Sequence, residues 1–520
     1  MIRFLLRRFL TAVGILFVIS IVAYGLLNLA LDPLADLRES TDLNKADLIA
    51  RRRSMLRLDD PWFERYLEWL SHFIRGDFGQ AWLTGRAVND LLGPAMLTSV
   101  QLVAVATFVS LLIGVIVGVV SALRQYTGFD YAITFVSFVL YALPVFWVAV
   151  LLKEYLAIKF NDYLADPVPN WPLLIIISIV AGLFWAGALG GPRARQLIVF
   201  ASAFAVTLAL LAGAILSGWI LKPQLGIIGV AVWGLGMAFA ITLVNAGLHN
   251  KRALYSALTM VGIGLALYFP LQFPFVLQAD FMASRAIPGV TWGTLLTILM
   301  ALVTIGVGLL VGWLWGGNDR GASMRGAAIV GILVAAAIWV DHLLQWWSTY
   351  FDHDSIKGRP IATIGSVTPG FHENYWLVTM DKATHLLLPT IALVMISFAG
   401  YVRYERGATL EVLSQDYIRT ARAKGLSERV VVVRHALRNA LMPLASIIPV
   451  DIVSLLGGAV ITETIFGWSG MGKFFVDSLR NNEIDPVMIY IMITGALAMT
   501  ANLLADLLYG LLDPRIRVNA

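Results

Sequence analysis

Twelve runs of about twenty predominantly apolar residues recur along this chain, and each is long enough to cross the ~30 Å hydrocarbon core of a bilayer as an α-helix. They fall near residues 9–31, 95–122, 130–158, 171–190, 197–219, 225–247, 253–270, 291–315, 326–347, 385–403, 441–463 and 487–511. Inside lipid a segment must satisfy its own backbone polar groups, which helices do and irregular chain does not. The expected fold class is therefore all-α polytopic membrane protein. Composition agrees, because 59% hydrophobic and 14% charged residues leave too little polar surface to coat a water-soluble globule. Arg3, Arg7 and Arg8 before the first run invite a secretory-signal reading. That run is longer than a signal core and no small-x-small site follows it, so a retained first helix is expected.

Lys and Arg sort with the crossings. With the N-terminus in the cytoplasm, alternation puts Arg124, the Arg193/Arg195 pair, Lys251/Arg252, Arg320/Arg325 and the basic stretch 416–438 on the cytoplasmic side, as short-loop charge bias requires. The net charge of +5 then needs no nucleic-acid partner; the partner that composition demands is the lipid bilayer. Segment 32–93 falls outside despite Arg51, Arg52 and Arg53, since its acids nearly balance its bases and long loops weigh little in this rule. It reads either as a small exported cap or as a platform for a substrate-delivery protein. The absence of cysteine excludes disulfides, thiol catalysis and cysteine metal sites.

The stretch 416–443, DYIRTARAKGLSERVVVVRHALRNALMP, is a dense basic segment between two apolar spans. Ser414 and Asp416 are candidate N-caps for a first short helix, Gly425 supplies the left-handed residue that ends it, and Ser427 with Glu428 opens a second. Ala421 and Gly425 are four apart, flanked by Thr420 and Ala423, which predicts a face nearly bare of side chain onto which another protein's groove closes. A charged helix-turn-helix held at the cytoplasmic surface is a handle for a soluble partner.

These residues resemble the inner-membrane permease subunits of ATP-binding-cassette importers, in particular the dipeptide/oligopeptide/nickel permease family. The ARAKG and RHALRNA patterns with Pro443 are similar to that family's cytoplasmic loop, whose short helix docks in a cleft of the ATPase. The widespread form of the loop begins with Glu and places its Pro sooner after the Gly; Arg419 stands in place of that Glu and Pro443 lies further on, which points to the peptide subfamily. The opening 1–29, GDFG at 76–79, GGAVITETIFGWSGMGK at 457–473 and NLLADLLYGLLDPRIR at 502–517 resemble the same family in the expected order. The resemblance covers roughly 1–160 and 380–520. It implies a six-helix type I importer permease core, with about six further helices spliced between core helices three and four. The boundaries expected are an N-terminal portion of the core over 1–160, inserted helices 170–350, an outer loop 351–384, and a C-terminal portion of the core over 385–520 carrying a docking loop at 404–440. An insertion joining two outer ends must cross an even number of times, and six helices meet that condition.

The resemblance implies that Asp416, Arg419, Thr420, Ala421, Ala423, Gly425, Arg434 and His435 dock the ATPase. It also implies a bacterial cytoplasmic (inner) membrane location, a second homologous permease, two ATPase subunits that bind ATP and Mg, and an extracytoplasmic substrate-binding protein, with no cofactor in this chain. Ionisable residues within spans are costly in hydrocarbon and mark paths or buried contacts. Asp451, Lys153 and Glu154 are thus candidates for the translocation path, while Asp506 in the last span reads as structural.

Two constellations are set aside. GWSGMGK at 467–473 nearly spells a phosphate-cradling loop, but Phe474 stands where a magnesium-binding hydroxyl is required. His353, Asp354, His372 and Glu373 match no metal-ligand spacing and sit in a polar, Gly- and Pro-rich outer segment. The function expected is a permease subunit of an ATP-driven importer of di- or oligopeptides. The alternatives are the same importer class carrying oligosaccharides or another small solute and, further off, a proton-coupled secondary transporter or a polytopic membrane enzyme.

Overall fold

The structure is a computed structural model describing residues 2–39, 41, 44–287 and 290–512. The chain is all-α and polytopic: among the described residues eleven helices are long and apolar enough to cross a membrane, and a twelfth crossing is supplied if one bent pair counts as a span. In chain order we label α1 (Ile2–Ala30), α2 (Val88–Leu123), α3 (Gly128–Ala142), α4 (Val145–Leu152), α5 (Trp171–Leu189), α6 (Arg193–Leu216), α7 (Gly226–Asn245), α8 (Lys251–Gln272), α9 (Trp292–Gly316), α10 (Arg320–Leu344), α11 (Tyr375–Leu413), α12 (Asp416–Ala423), α13 (Leu437–Gly458), α14 (Val460–Phe466), α15 (Met471–Arg480) and α16 (Ile484–Leu512).

The bent pair corrects the single span expected at 130–158. α3 stops at Ala142, and the chain turns by 101° before α4 continues through a π-helical turn, Lys153–Ile158, to Ala165. Pro144 causes the break. The residue before a proline is pushed out of the helical region, and Leu143 takes the extended φ −73°, ψ 128°. At 15 residues, α3 is about 22 Å long and cannot span alone.

α11 departs from expectation in the other direction. It runs 39 residues, about 58 Å, so roughly half of it extends beyond the hydrocarbon, and the loop expected from 404 begins only at 414. Its central face packs on α2, and α13 pairs with α16, which also holds α1.

The helices between residues 171 and 344 form two groups. α7, α8, α9 and α10 make a bundle around Val230, Ala238, Ala257, Met260, Val330 and Val334. Asp341 ties this bundle, accepting from the Leu225 and Gly226 amides at the start of α7 (2.6 and 2.8 Å) and from the Tyr268 hydroxyl of α8 (2.6 Å). α5 and α6 instead form a hairpin leaning on α3 through Phe129 and Phe184, whose rings lie 5.6 Å apart. α6 packs on α5, where Phe200 lies against Gly182, and Ala212 is its one buried residue.

Segment 32–93 forms three short helices, Ala35–Glu39, Lys45–Met55 and Trp62–Ile74, and a two-stranded hairpin pairing Gln80 with Ala87. It seats on α1, α2 and α16 through Tyr24, Tyr66, Trp69, Val88, Met488 and Ile489. Several of its arginines are engaged locally: Arg52 pairs with Asp36 at 2.5 Å, Arg53 with Asp59 at 2.6 Å and Arg57 with Glu68 at 2.6 Å. His72 pairs with Asp77 at 2.9 Å, and this hydrogen bond, with a second from the Gly79 amide, holds the Asp77 carboxyl below its usual range.

Candidate functional site

The elbow between α11 and α13 is built from its own small core. Ile418 (0% exposed) and Ala421 (7%) of α12 pack on Val431 and Ala436, with Val412 and Leu413 against them. One face of a two-turn helix is thereby glued to the chain that follows. The C-terminus of α12 closes as a Schellman turn, the Gly425 amide donating to Arg422 O at 2.9 Å and the Leu426 amide to Ala421 O at 3.4 Å. Gly425 takes φ +75°, which favours glycine. Arg422 then forks onto Glu428 with two bonds of 2.7 and 3.1 Å, and Asn439 donates to the Tyr417 hydroxyl at 2.7 Å. The fork pushes the Arg422 guanidinium up and holds the Glu428 carboxyl below its usual range, so both partners stay charged.

Two expectations about the elbow are corrected. Ala421 does not offer a bare outward face: it is one of the buried core residues, because Ile418 and Ala421, three apart, form the inward stripe. Gly425 lies past the end of α12 and shares no helix face with Ala421. Ser414 and Asp416 do not cap. Gln415 holds the N-cap position with no side-chain bond, Asp416 is the first helical residue, and Ser414 ends α11. Of the residues expected to dock the ATPase, Asp416, Arg419, Thr420, Ala423, Gly425 and Arg434 are exposed, and His435 is half-buried. Arg419 leans on Asp416 at 3.4 Å.

Beneath the elbow lies a pair that the sequence alone does not reveal. Asp130 at the start of α3, 2% exposed, receives both arms of Arg406 from α11 at 2.7 and 2.8 Å. The Ser121 hydroxyl at 2.6 Å and the Tyr126 amide at 3.1 Å complete its shell. The pair fixes the protruding end of α11 to the α2–α3 turn.

The three path candidates are not brought together. Lys153 donates to Ile465 O at 3.1 Å, at the C-terminal end of α14, and Glu154 lies 3.6 Å from Lys159. Asp451 of α13 is half-buried and faces the Tyr401 hydroxyl of α11. The Asp506 side chain and the residues after Leu512 lie outside the described residues.

The stretch 457–473 acquires a structural explanation. Glu463, fully buried, accepts from the Gly472 and Lys473 amides at 2.6 and 3.1 Å and from the Ser99 hydroxyl at 2.5 Å. Its carboxylate thus occupies the N-terminus of α15, the place where a phosphate would have to sit. A carboxylate four residues ahead of the glycine-rich turn 467–472 is the available signal. Among the described residues no three His, Asp or Glu side chains gather as a metal site; His353 and Glu373 approach only each other, at 3.4 Å.

Comparison with known proteins bears on this architecture. Residues 1–99 match the family described as "Binding-prot-dependent transport system membrane comp, N-term". The chain is 42% identical over 155 residues to the oligopeptide transport system permease protein OppB of Mycobacterium tuberculosis, covering 30% of this chain and 48% of that protein. It is 45% identical over 138 residues to the dipeptide transport system permease protein DppB of Escherichia coli K12 (26% and 41%). With the oligopeptide transport system permease protein AppB of Bacillus subtilis it shares 47% over 136 residues (26% and 43%). The chain therefore spans less than half the length of each of these relatives. A second family description, "Binding-protein-dependent transport system inner membrane component", matches residues 258–518, half of the 520-residue chain, and the protein belongs to that family.

Proposed function

We propose that this chain is the permease subunit of an ATP-driven importer of di- or oligopeptides, working beside a second permease, two separate ATPases and an extracytoplasmic binding protein. The observation that carries the reading is the elbow: a short helix seated on its own core, presenting Asp416, Arg419, Thr420, Ala423 and Arg434 to solvent at the end of a helix that outruns the bilayer. Peptide cargo rests on the printed names of the relatives matched over part of their length. The helices 171–344 are an insertion between the two halves of the six-helix core. N-terminus and elbow lie in the cytoplasm of a bacterial inner membrane.

Coupling needs a helix whose position is fixed relative to the spans, because ATP binding can shift the permease only by the free energy with which it distinguishes two conformations. The elbow core and the Asp130–Arg406 pair supply that fixity. Nucleotide and Mg would be held by the partner ATPases.

Because the native chain has no cysteine, single cysteines report sidedness without background. Ala423→Cys should react with a membrane-impermeant maleimide only in inside-out vesicles, and Leu83→Cys, on the exported cap, only in right-side-out ones. The opposite pattern overturns the orientation and the ATPase-docking role with it. Gly425→Trp should abolish peptide uptake at normal membrane levels: space around Gly425 is open, so the strain of φ +75° and the added bulk act on seating rather than on the permease interior.

A further inference from the structure

Between α8, α9 and α10 lies a cavity of about 580 Å³, within the ~300–1,000 Å³ usual for ligand sites. Its walls are apolar, with Met260, Leu271, Met300, Val307, Val334 and Ile338 prominent, and no Asp, Glu, Lys or Arg lines it. The two threonine hydroxyls in the wall are already used, Thr297 donating to Gly293 O at 2.8 Å and Thr304 to Met300 O at 2.7 Å. A peptide, with charged termini and a polar backbone, would find no charged partner here and too few polar ones to satisfy it.

The cavity has a closed end and a polar end. At the elbow side α9 and α10 are zipped together: a Cβ on Gly308 or Gly312 would run into the backbone of Ala328 or Met324, so the helices touch there. At the far end stands His342, 1% exposed, whose Nε2 finds no hydrogen-bond partner among the described residues. The rings of Phe275 and Trp376 flank it, each 6.2 Å away. Trp339 Nε1 in the same wall is also buried without a partner, so this end of the cavity offers two ring nitrogens to a group from outside the chain. Along its side the cavity opens to the bilayer, since the lining residues Leu267 and Val303 are 46% and 50% exposed on helices that face lipid.

An end carrying the unpartnered ring nitrogens of His342 and Trp339, and an apolar slot running from it toward the midplane, match the polarity of a lipid, carbonyl oxygen above and hydrocarbon below. We propose that this cavity holds an acyl chain of a membrane lipid, entering between Leu267 and Val303, with the ester or carboxyl oxygen of that chain accepting a hydrogen bond from His342 Nε2. The site belongs to the bundle between residues 226 and 344 and does not depend on the importer reading; only the choice of leaflet, the outer one, rests on the sidedness proposed above.

The test uses the full chain in nanodiscs containing either a phospholipid with a diazirine near the end of its acyl chain or a free fatty acid carrying the same group. After illumination, labels on peptides covering 260–271 and 300–307 should exceed those on the exposed Leu197–Leu210 face of α6 at least tenfold. Labelling by only one of the two probes identifies the occupant as phospholipid or as fatty acid. Ala301→Phe and Ala335→Leu, which fill the cavity from two different walls, should each cut cavity labelling at least fivefold while leaving that on α6 unchanged. His342→Phe, which keeps the ring volume but removes the nitrogen, should reduce cavity labelling at low probe density and recover it at high density. Equal labelling of cavity and α6 face, or cavity labelling untouched in both filled variants that insert normally, would overturn the proposal.

Discussion

Ile418→Ala tests whether the elbow is a folded unit in its own right. Ile418 is fully buried and is the largest side chain in a cluster whose other members include Ala421, Val431 and Ala436. Truncating a buried Ile to Ala costs about 2–5 kcal/mol, and a site as small as this one collapses in part, which places the loss near 2–3 kcal/mol. That loss falls on the local opening of the elbow, because α12 touches the rest of the protein chiefly through this cluster. The assay is hydrogen exchange at the amides of Lys424, Gly425 and Leu426, which close the helix on Thr420, Arg422 and Ala421 carbonyls at 3.0, 2.9 and 3.4 Å. At about 1.4 kcal/mol per tenfold, their exchange should accelerate roughly 30- to 150-fold, while amides within α13 stay protected. Arg422→Gln is the control. The Arg422–Glu428 pair is half-exposed on both sides, so its removal should cost about 0–1 kcal/mol and change exchange less than about fivefold. Unchanged exchange in Ile418→Ala, or a larger effect from Arg422→Gln, would refute the claim that packing and not the ion pair holds the helix.

The remaining predictions concern the frame around the elbow. Arg406→Leu leaves the buried Asp130 charge without its guanidinium and should lower stability by about 3–5 kcal/mol, seen as loss of the monodisperse peak after mild heating; adding Asp130→Asn should restore some of it, and no restoration would deny the coupling. Glu463→Ala leaves the Gly472 and Lys473 amides without acceptors at about 1–3 kcal/mol each, so its melting temperature, read from tryptophan fluorescence, should fall clearly below that of Glu463→Gln.

The apolar spans were legible because hydrocarbon imposes one requirement, some twenty apolar residues, that any window can detect. What hydropathy cannot see is local stereochemistry and what happens beyond the lipid. It averages across Leu143–Pro144, where one restricted residue turns the chain by 101°, and it loses α11 at the point where its last turns become charged but remain helical. At the elbow, small residues were read as an open face. The i, i+3 pair Ile418 and Ala421 carried the opposite message, since a lone Ile in a basic helix marks the buried stripe. The Asp130–Arg406 pair joins residues 276 apart in sequence, and nothing local announces it. Glu463 lay within view, but its partners Ser99 and the α15 amides meet it only after folding.

That these turns share one side also follows from contacts, independently of any count of charges. Arg124, at the α2–α3 turn, donates to the Ala188 and Leu189 carbonyls at the end of α5. The same turn is bound through Asp130 to Arg406, on the elbow end of α11. From the elbow, Arg429 lies over Gly247 at the α7–α8 turn, where a side chain would collide with the guanidinium. Asn250 of that turn reaches Asp319 between α9 and α10 at 3.1 Å. These links place every turn bearing Arg124, Arg193, Lys251 and Arg320 at one end of the molecule together with the elbow. The consequence is sharp: the loops cannot be reassigned one by one, and a single cysteine reacting from the wrong side at any of them would invert all. Gly247→Leu tests the join between the bundle and the elbow. Displacing Arg429 should speed amide exchange in α12 without altering that of α10, and if exchange in α12 is unmoved, the bundle rests against the elbow without supporting it.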